Sequence, residues 1–332
     1  MHTNLPTHWQ ILELLKAKRG EPLPGPELAS QLGISRTAVW KHMQKLSAQG
    51  YSIKTYPKSG YQLVDVPDLL IPEEVSPSLT TSTFGRTYHH FHQLGSTNDQ
   101  AIQLAIQGAP HGSVIVAEEQ TEGRGRLRRP WFSNARTGIY MSIVLRKCLP
   151  IKDIQQSTLV ASLSLAGILR DGYRLNSFIK WPNDILIQDR KVAGILAEMQ
   201  SDHDAVQFLI MGIGINVNHR SEQLRGPFRY PATSVAIELG RKIKRQDLLV
   251  NFLHRFEADY ERLLHGGFGL FLSEYEQFSN LYGKTITIRC GEVDYSGRVL
   301  GVTSQGALRL LQEGKGEKVI WVGDVTQVAS NF

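Results

Sequence analysis

Apolar residues recur along this chain in two rhythms, and the changes of rhythm divide it. In "WQILELLKAK" (residues 9–18), Ile11, Leu12, Leu14 and Leu15 fall at helical spacing. The break "GEPLPGPE" follows, with Pro26 placed to open a second helix over 27–32 that Gly33 stops. Ser35 then stands as the N-cap of a third helix, "RTAVWKHMQKLSAQ". Val39, Met43 and Leu46 form one apolar stripe on it, and Arg36, Thr37, Trp40, Lys41, Gln44 and Lys45 occupy the other faces. "YSIKTYPKSGYQLV" switches to a period of two on either side of Lys58-Ser59-Gly60, as two short strands joined by a turn would. The order predicts a winged helix-turn-helix over residues 1–66. Ser35, Arg36, Thr37, Trp40, Lys41, Gln44 and Lys45 are its candidates to meet DNA, and Lys54 and Lys58 of the wing could reach phosphates. The competing reading is a three-helix protein-interaction module.

A proline-rich stretch over 67–79 reads as a linker. From 80 to 281 strands and helices mix. "SVIVAE", "GIYMSIVLR" and "FLIM" are strand-like, and "DIQQSTLVASLSLAGILRDG" and "QDLLVNFLHRFEADYERLLHGG" are long helical patterns. The second helix carries a stripe of Leu249, Phe252, Phe256, Tyr260 and Leu263 and stops at Gly266-Gly267. Over 282–332, "KTITIR", "VDYSGRVLGV", "GALRLL" and "EKVIWV" predict short strands between glycine-containing turns. The fold class is α+β, in several domains.

Composition changes this picture in two places. Residues 1–66 hold eight Lys/Arg against four Asp/Glu, so most of the net charge of +6 sits at one end, as a polyanionic partner would require. Two cysteines without metal-ligand spacing exclude a disulfide framework and suit a reducing compartment. No signal-peptide pattern or membrane-spanning apolar run is visible, so a cytoplasmic location is expected.

Four polar clusters carry the candidate chemistry. In "GSTNDQA", Ser96, Thr97 and Asn98 either cap a helix or bind a polar ligand group. "GRGRLRRPW" packs four arginines and two glycines into nine residues. Gly123 and Gly125 let backbone N–H groups approach an anion, Arg124 and Arg126 supply forked donors, and Trp131 offers a flat face for a base. A solvated basic loop is the competing reading. "IKWPNDILIQDRKVAGILAE" reads as a strand, a turn at Pro182-Asn183-Asp184, and a hairpin around Asp189-Arg190. Lys180, Asp184 and Lys191 at one sheet rim would suit anhydride formation from a carboxylate and a triphosphate with Mg²⁺. Taken singly, either lysine is equally a surface residue beside a turn. "GIGINVN", following the strand "FLIM", is neither a Walker nor a Rossmann motif, and its Asn216 binds a ligand or ends the strand. No metal-ligand set is evident, "HHFH" at 89–92 included.

In this order, "STN", "Q-x-x-GRGR-x-x-x-x-W", "KWPND-x-x-x-x-x-RK-x-AGIL-x-E" and "G-x-GIN-x-N" resemble the biotin protein ligases, and the winged helix ahead of them resembles the bifunctional ligases that also repress the biotin operon. The resemblance implies a central domain related to class II aminoacyl-tRNA synthetases and a small C-terminal SH3-like barrel. It implies formation of biotinyl-5′-AMP from biotin and ATP, then transfer to a lysine of the biotin carboxyl carrier protein of acetyl-CoA carboxylase. It also implies operator DNA as a partner, biotinyl-5′-AMP as corepressor, and a homodimer when that intermediate is bound.

By the same resemblance Ser96, Thr97, Asn98, Gln120 and Gly194 bind biotin, and Arg124, Gly125 and Arg126 order over biotin and the adenylate phosphate. Trp131 covers the adenine, with Asn183 and Asn216 near the nucleotide. Lys191 contacts the carboxyl oxygens and phosphate, Lys180 the α-phosphate, and Asp184 a metal or the incoming amine. Two positions depart from the family pattern. Leu127 replaces an arginine, and Arg128 stands where a third glycine is usual, so its side chain restricts the backbone there. Lipoate ligation and a ligand-sensing transcription factor without ligase activity are the alternative functions.

Overall fold

The computed structural model describes residues 6–202, 205–225 and 231–328. The chain divides into two compact units, Met1–Leu69 and Leu70–Phe332.

The first unit contains α1 (Thr7–Ala17), α2 (Gly25–Leu32) and α3 (Arg36–Ala48), then β1 (Ser52–Tyr56) and β2 (Gly60–Asp65) paired antiparallel. Its core is Trp9, Ile11, Leu12, Leu15, Leu28, Val39, Met43, Leu46 and Tyr51, all buried. Gly33 ends α2 in the left-handed conformation (φ 64°), and the Ser35 hydroxyl accepts from Ala38 N–H at 3.1 Å to start α3. Burying the Val39, Met43 and Leu46 stripe leaves Arg36, Thr37, Trp40, Lys41, Gln44 and Lys45 exposed on α3. Lys54 and Lys58 of the wing are exposed as well.

The second unit begins within the stretch read as a linker. Leu70 is buried there, and α4 (Pro72–Val75) places Val75 in the same core. The elements that follow are β3 (Tyr88–Phe91), α5 (Thr97–Ile106), β4 (Val114–Ala117), β5 (Gly138–Leu145), α6 (Ile154–Tyr173), β6 (Ser177–Lys180) and β7 (Asp184–Ile187). Then come β8 (Arg190–Asp202), β9 (Ala205–Asn216), α7 (Val235–Leu239), α8 (Arg245–Gly266) and α9 (Leu272–Phe278). The strands form one seven-stranded sheet in the order β3-β4-β5-β9-β8-β7-β6, antiparallel except for β3 with β4. The last strands, β10 (Thr285–Cys290), β11 (Val293–Val302), β12 (Leu308–Gln312), β13 (Gly316–Ile320) and β14 (Asp324–Val328), make a second sheet in the order β13-β12-β11-β10-β14. Four of these five follow the sequence reading. β14 does not, because "DVTQV" has too few apolar positions to announce a strand and gains its order by pairing with β10.

Side chains alternate across the large sheet with the period of two that pleating imposes. On β9, Leu209, Met211, Ile213 and Ile215 enter the main core with α6 and α8. Phe208 and Ile210 join a smaller cluster with Ala101 and Ala105 of α5 on the opposite side. The stripe of Leu249, Phe252, Phe256, Tyr260 and Leu263 on α8 is wholly buried, and each such side chain contributes about 1.5–3 kcal/mol.

"GIGIN" departs from its sequence reading. It does not follow the strand but continues it, since β9 runs to Asn216 and Gly212, Ile213, Gly214 and Ile215 keep its register against both neighbours. The hairpin between β7 and β8 turns at Gln188 and Asp189 (φ 50° and 59°), one residue before the expected Asp189-Arg190.

Candidate active site

Where β9 passes beyond α5, its even-numbered positions change from Phe208 and Ile210 to Gly212 and Gly214. Gly194 of β8 lies directly opposite Gly214, and Ser142 of β5 directly opposite Gly212. The glycines make room for side chains that come down onto the sheet. A Cβ on Gly212 would overlap Asn98 Oδ1, and one on Gly214 would lie 2.5 Å from the Trp131 indole. A Cβ on Gly194 would come 3.1 Å from the Lys191 side chain and 3.2 Å from Trp131. Glycine serves here through absence of bulk.

Above this floor lies a partly open cleft. Ser96, Thr97, Asn98, Gln120, Arg124, Gly125, Arg126, Trp131, Asn183, Asp184, Lys191 and Gly194 all line it, although they are spread over about a hundred residues of chain. Three separate sequence clusters therefore supply one cavity, and the fourth, "GIGINVN", contributes Gly212 and Gly214 to its floor. Lys180 and Asn216 are not in the lining. Lys180 is buried at the end of β6, opposite Asp184 in the ladder, and Asn216 is buried at the end of β9 opposite Gly138.

The "STN" segment starts α5 with Ser96 at the N-cap, but the Ser96 side chain makes no cap hydrogen bond. The polar groups turn toward one another instead. Thr97 N–H and Oγ1 donate to Gln120 Oε1 at 2.8 and 3.1 Å, and Gln120 Nε2 donates to Ser133 Oγ at 2.9 Å. Ser142 Oγ lies 2.6 Å from Asn98 Oδ1 and 2.8 Å from Thr97 Oγ1. Asn98 Nδ2 donates to Glu198 at 2.6 Å.

At the other end Lys191 Nζ sits 2.6 Å from Asp184 Oδ1 and 5.2 Å from the centre of the Trp131 ring. The Lys191 backbone is pinned on both sides by Pro231 and Thr233. Asn183 donates its amide to Ile195 O at 2.8 Å, bracing the turn before β7 against β8. Trp131 Nε1–H is buried and makes no hydrogen bond among the described residues.

The arginine loop crosses the cleft and reaches the C-terminal sheet. Arg126 Nη2 donates to Gly323 O at 3.0 Å, and Arg129 pairs with Asp324 at 2.5 Å. Burial lowers the Arg126 pKa, with the charges of Asp324 and Asp184 opposing that shift. Leu127 and Arg128 both take positive φ, 55° and 54°, so the loop adopts at Arg128 a conformation suited to glycine.

Asp99, Ser142 and Asp324 were not singled out by sequence, and Glu198 entered only as the closing position of the "AGIL-x-E" motif, without a role. Glu198 carried a usable signal, since it follows Gly194 and Leu196 at a spacing of two on one strand and so shares their face. Asp324 lies 195 residues from its partner Arg129, with no local pattern to link them. Behind the site, buried Glu118 pairs with buried Arg245 at 2.7 Å and accepts Leu70 N–H at 3.0 Å. Among the described residues no group of three or more His, Cys, Asp or Glu could hold a metal ion, and no helix is long and apolar enough to cross a membrane.

Residues 91–216 match the model of the biotin/lipoate A/B protein ligase family, and residues 8–62 match that of an HTH domain. The bifunctional ligase/repressor BirA of Bacillus subtilis strain 168 is 35% identical over 315 residues, spanning 95% of this chain and 97% of the relative. Its counterpart from Escherichia coli K12 is 30% identical over 296 residues, 89% of this chain and 90% of that one. Among solved structures, the biotin protein ligase from Aquifex aeolicus in complex with biotin and ATP superposes with a TM-score of 0.64 at 28% identity, covering 74% of this chain and 100% of its own. A glycine-floored cleft assembled from all four sequence clusters, together with these likenesses, places this chain in the biotin protein ligase family, in the form with a helix-turn-helix domain ahead of the ligase domain.

Proposed function

We propose that this protein activates biotin with ATP as biotinyl-5′-AMP, transfers it to a lysine of a biotin carboxyl carrier protein such as that of acetyl-CoA carboxylase, and represses biotin-synthesis genes by binding operator DNA as a biotinyl-5′-AMP-loaded homodimer. The observation that carries this reading is the convergence of Ser96, Thr97, Asn98, Gln120, Gly125, Arg126, Trp131, Asp184, Lys191 and Gly194 on one cleft.

The chemistry joins two anions, so it needs cations and oriented donors more than a base. In this reading the Ser96–Asn98 and Gln120 amides and hydroxyls receive the polar ring end of biotin, while Gly194 and Leu196 meet its apolar body. Trp131 stands over Gly214, one step along β9 from Asn98 and beside Lys191. As the resemblance implies, its ring would cover the adenine of the adenylate, with the buried Nε1–H as a donor toward the ligand. Lys191 and Arg126 neutralise charge at phosphorus. Lys180, behind Asp184, would act through the rim of β6 and β7, and Asn183 and Asn216 by shaping the nucleotide end. Mg²⁺ would arrive on the triphosphate, because the cleft offers it only the separated carboxylates Asp184 and Asp324; when bound it supplies charge neutralisation. Asp184, 2.6 Å from Lys191, is placed to orient that ammonium or to receive a proton from the incoming amine. The C-terminal sheet would be the family's small SH3-like barrel.

In the N-terminal unit, exposed Arg36, Thr37, Trp40, Lys41, Gln44 and Lys45 on α3, with Ser35 at its start, would enter the major groove, and Lys58 would reach phosphate.

Mass spectrometry after incubation with Mg²⁺-ATP, a carrier domain and either biotin or lipoate tests the enzyme. The reading predicts one biotinyl addition to the carrier, and lipoyl addition alone would overturn it. Gel shifts on a biotin-gene promoter test the repressor. Arg36→Ala or Lys41→Ala should weaken binding, lowering the salt slope by about 1 if a phosphate contact is lost, while ligation stays unchanged. A promoter that is never shifted, with biotin and ATP present, would remove the repressor half.

A further inference from the structure

Arg124 opens the arginine loop, and its charge suggests a grip on the anionic ligand, yet the structure commits that charge elsewhere. Its two terminal nitrogens donate to the two Asp99 carboxylate oxygens at 2.6 Å each. Its Nη2 also lies 3.1 Å from both oxygens of Glu198. Two carboxylates around one guanidinium leave a net negative charge, so a phosphate or carboxylate ligand would be repelled there. The bidentate fork to Asp99 fixes the guanidinium in orientation as well as position. Asp99 sits in the first turn of α5 and Glu198 on β8, so Arg124 ties the base of the loop to both the helix and the sheet. Glu198 also receives Asn98 Nδ2 at 2.6 Å, which places the same carboxylate behind a side chain of the proposed biotin pocket.

Resting on the proposed ligase reading, we propose that Asp99 and Glu198 are positioning residues that hold Arg124 as a post for the arginine loop, and that Arg124 does not touch the ligand's anionic groups. The post sets where Gly125 and Arg126 enter the cleft. Through Glu198 it also sets the amide of Asn98, and Ser142 carries that constraint to Thr97 and Gln120. Loss of any member should therefore loosen biotin binding before it slows the chemistry. The Arg124 pKa is raised, first by its bond to Asp99, in keeping with a guanidinium bound to carboxylates.

The test is a steady-state comparison of full-length Asp99→Asn, Glu198→Gln, Arg124→Gln and Arg124→Lys, with the double variant Asp99→Asn/Arg124→Gln. Each single change should raise the KM for biotin roughly tenfold with little change in kcat, since a charge-assisted contact used equally in ground and transition states is lost. The double variant should be no worse than Arg124→Gln alone, because both remove the same contact. Arg124→Lys should fail to rescue, as a point charge cannot reproduce the fork. Glu198→Gln, close in shape, keeps the test readable if an Asp99 variant melts below the assay temperature. The proposal is overturned if Arg124→Gln lowers kcat by roughly a hundredfold, as loss of a transition-state donor would. It is equally overturned if Asp99→Asn lowers the KM by freeing Arg124 to bind ligand, or if lysine restores activity. A wild-type chain that transfers no biotin would instead sink the ligase reading and is distinguished by that control.

Discussion

The two faces of the large sheet are built from alternate residues of the same strands and do opposite work. Under α6 and α8, β9 presents Leu209, Met211, Ile213 and Ile215, all buried in one core. On the other face the same strand offers Phe208 and Ile210 to α5, then bare Gly212 and Gly214. The first face supplies folding free energy through buried apolar area. The second gives up side-chain volume and fills the gap with Asn98, Trp131 and Lys191, which carry polar atoms a ligand can use. The rigidity of the packed face is what lets the other hold polar groups at fixed distances.

Adjacent residues on β9 should separate the two roles. Ile213→Ala should cost roughly 2–5 kcal/mol, measured by urea unfolding. Gly214→Val would displace Trp131 and should reduce carrier biotinylation roughly a hundredfold, as misplacement of a site commonly does. Its unfolding midpoint should move less than that of Ile213→Ala. If the two variants lose stability and activity in the same proportion, the division of labour between faces is wrong.

Acid should probe the buried polar groups that join the faces behind the site. Burial tends to raise the Glu118 carboxyl, but the His90 hydrogen bond, the Arg245 charge and the Leu70 N–H together hold it at about 2, below its ordinary 4.5. Its contribution to stability is thus complete above pH 4.5 and fades as pH falls toward 2. Burial, with help from the Arg245 charge, pushes His219 down from 6.5 to about 4, so its contribution fades earlier, between those values. Melting temperature against pH should show both limbs. His219→Gln should flatten the upper one and Glu118→Gln the lower, and profiles that keep their slopes would contradict these assignments.

The smallest effect should come from the loop. Arg128 holds a left-handed backbone that costs a residue with a side chain about 1–2 kcal/mol, which the greater freedom of glycine in the unfolded chain partly offsets. Arg128→Gly should therefore slow release of biotinyl-5′-AMP only severalfold, followed by loss of labelled intermediate from the protein. Faster release would mean that the Arg128 side chain itself closes the loop.

Much of this molecule was legible in its sequence, for a reason that differs by region. Helical spacing in α1, α3 and α8 and the alternation in β1, β2 and β10 are local patterns, imposed by the pitch of a helix and the pleat of a strand. The polar clusters from Ser96 to Lys191 stood out by their residue types, and their roles came only from the family resemblance that the motifs carry in order. The length of β9 was not legible, since glycines weaken a strand signal and only the fit of Asn98 and Trp131 against them explains their presence.

By itself, then, the chain's order of residues determined which groups would carry charge and which faces would be apolar, because those properties belong to single side chains and their spacing. Only the folded arrangement decided which partners each cation meets. Arg124 and Arg126 are indistinguishable as letters, and they part company when Asp99 and Glu198 meet the first while Gly323 meets the second. Electrostatic partnership depends on distance through space, which the linear spacing of residues does not record.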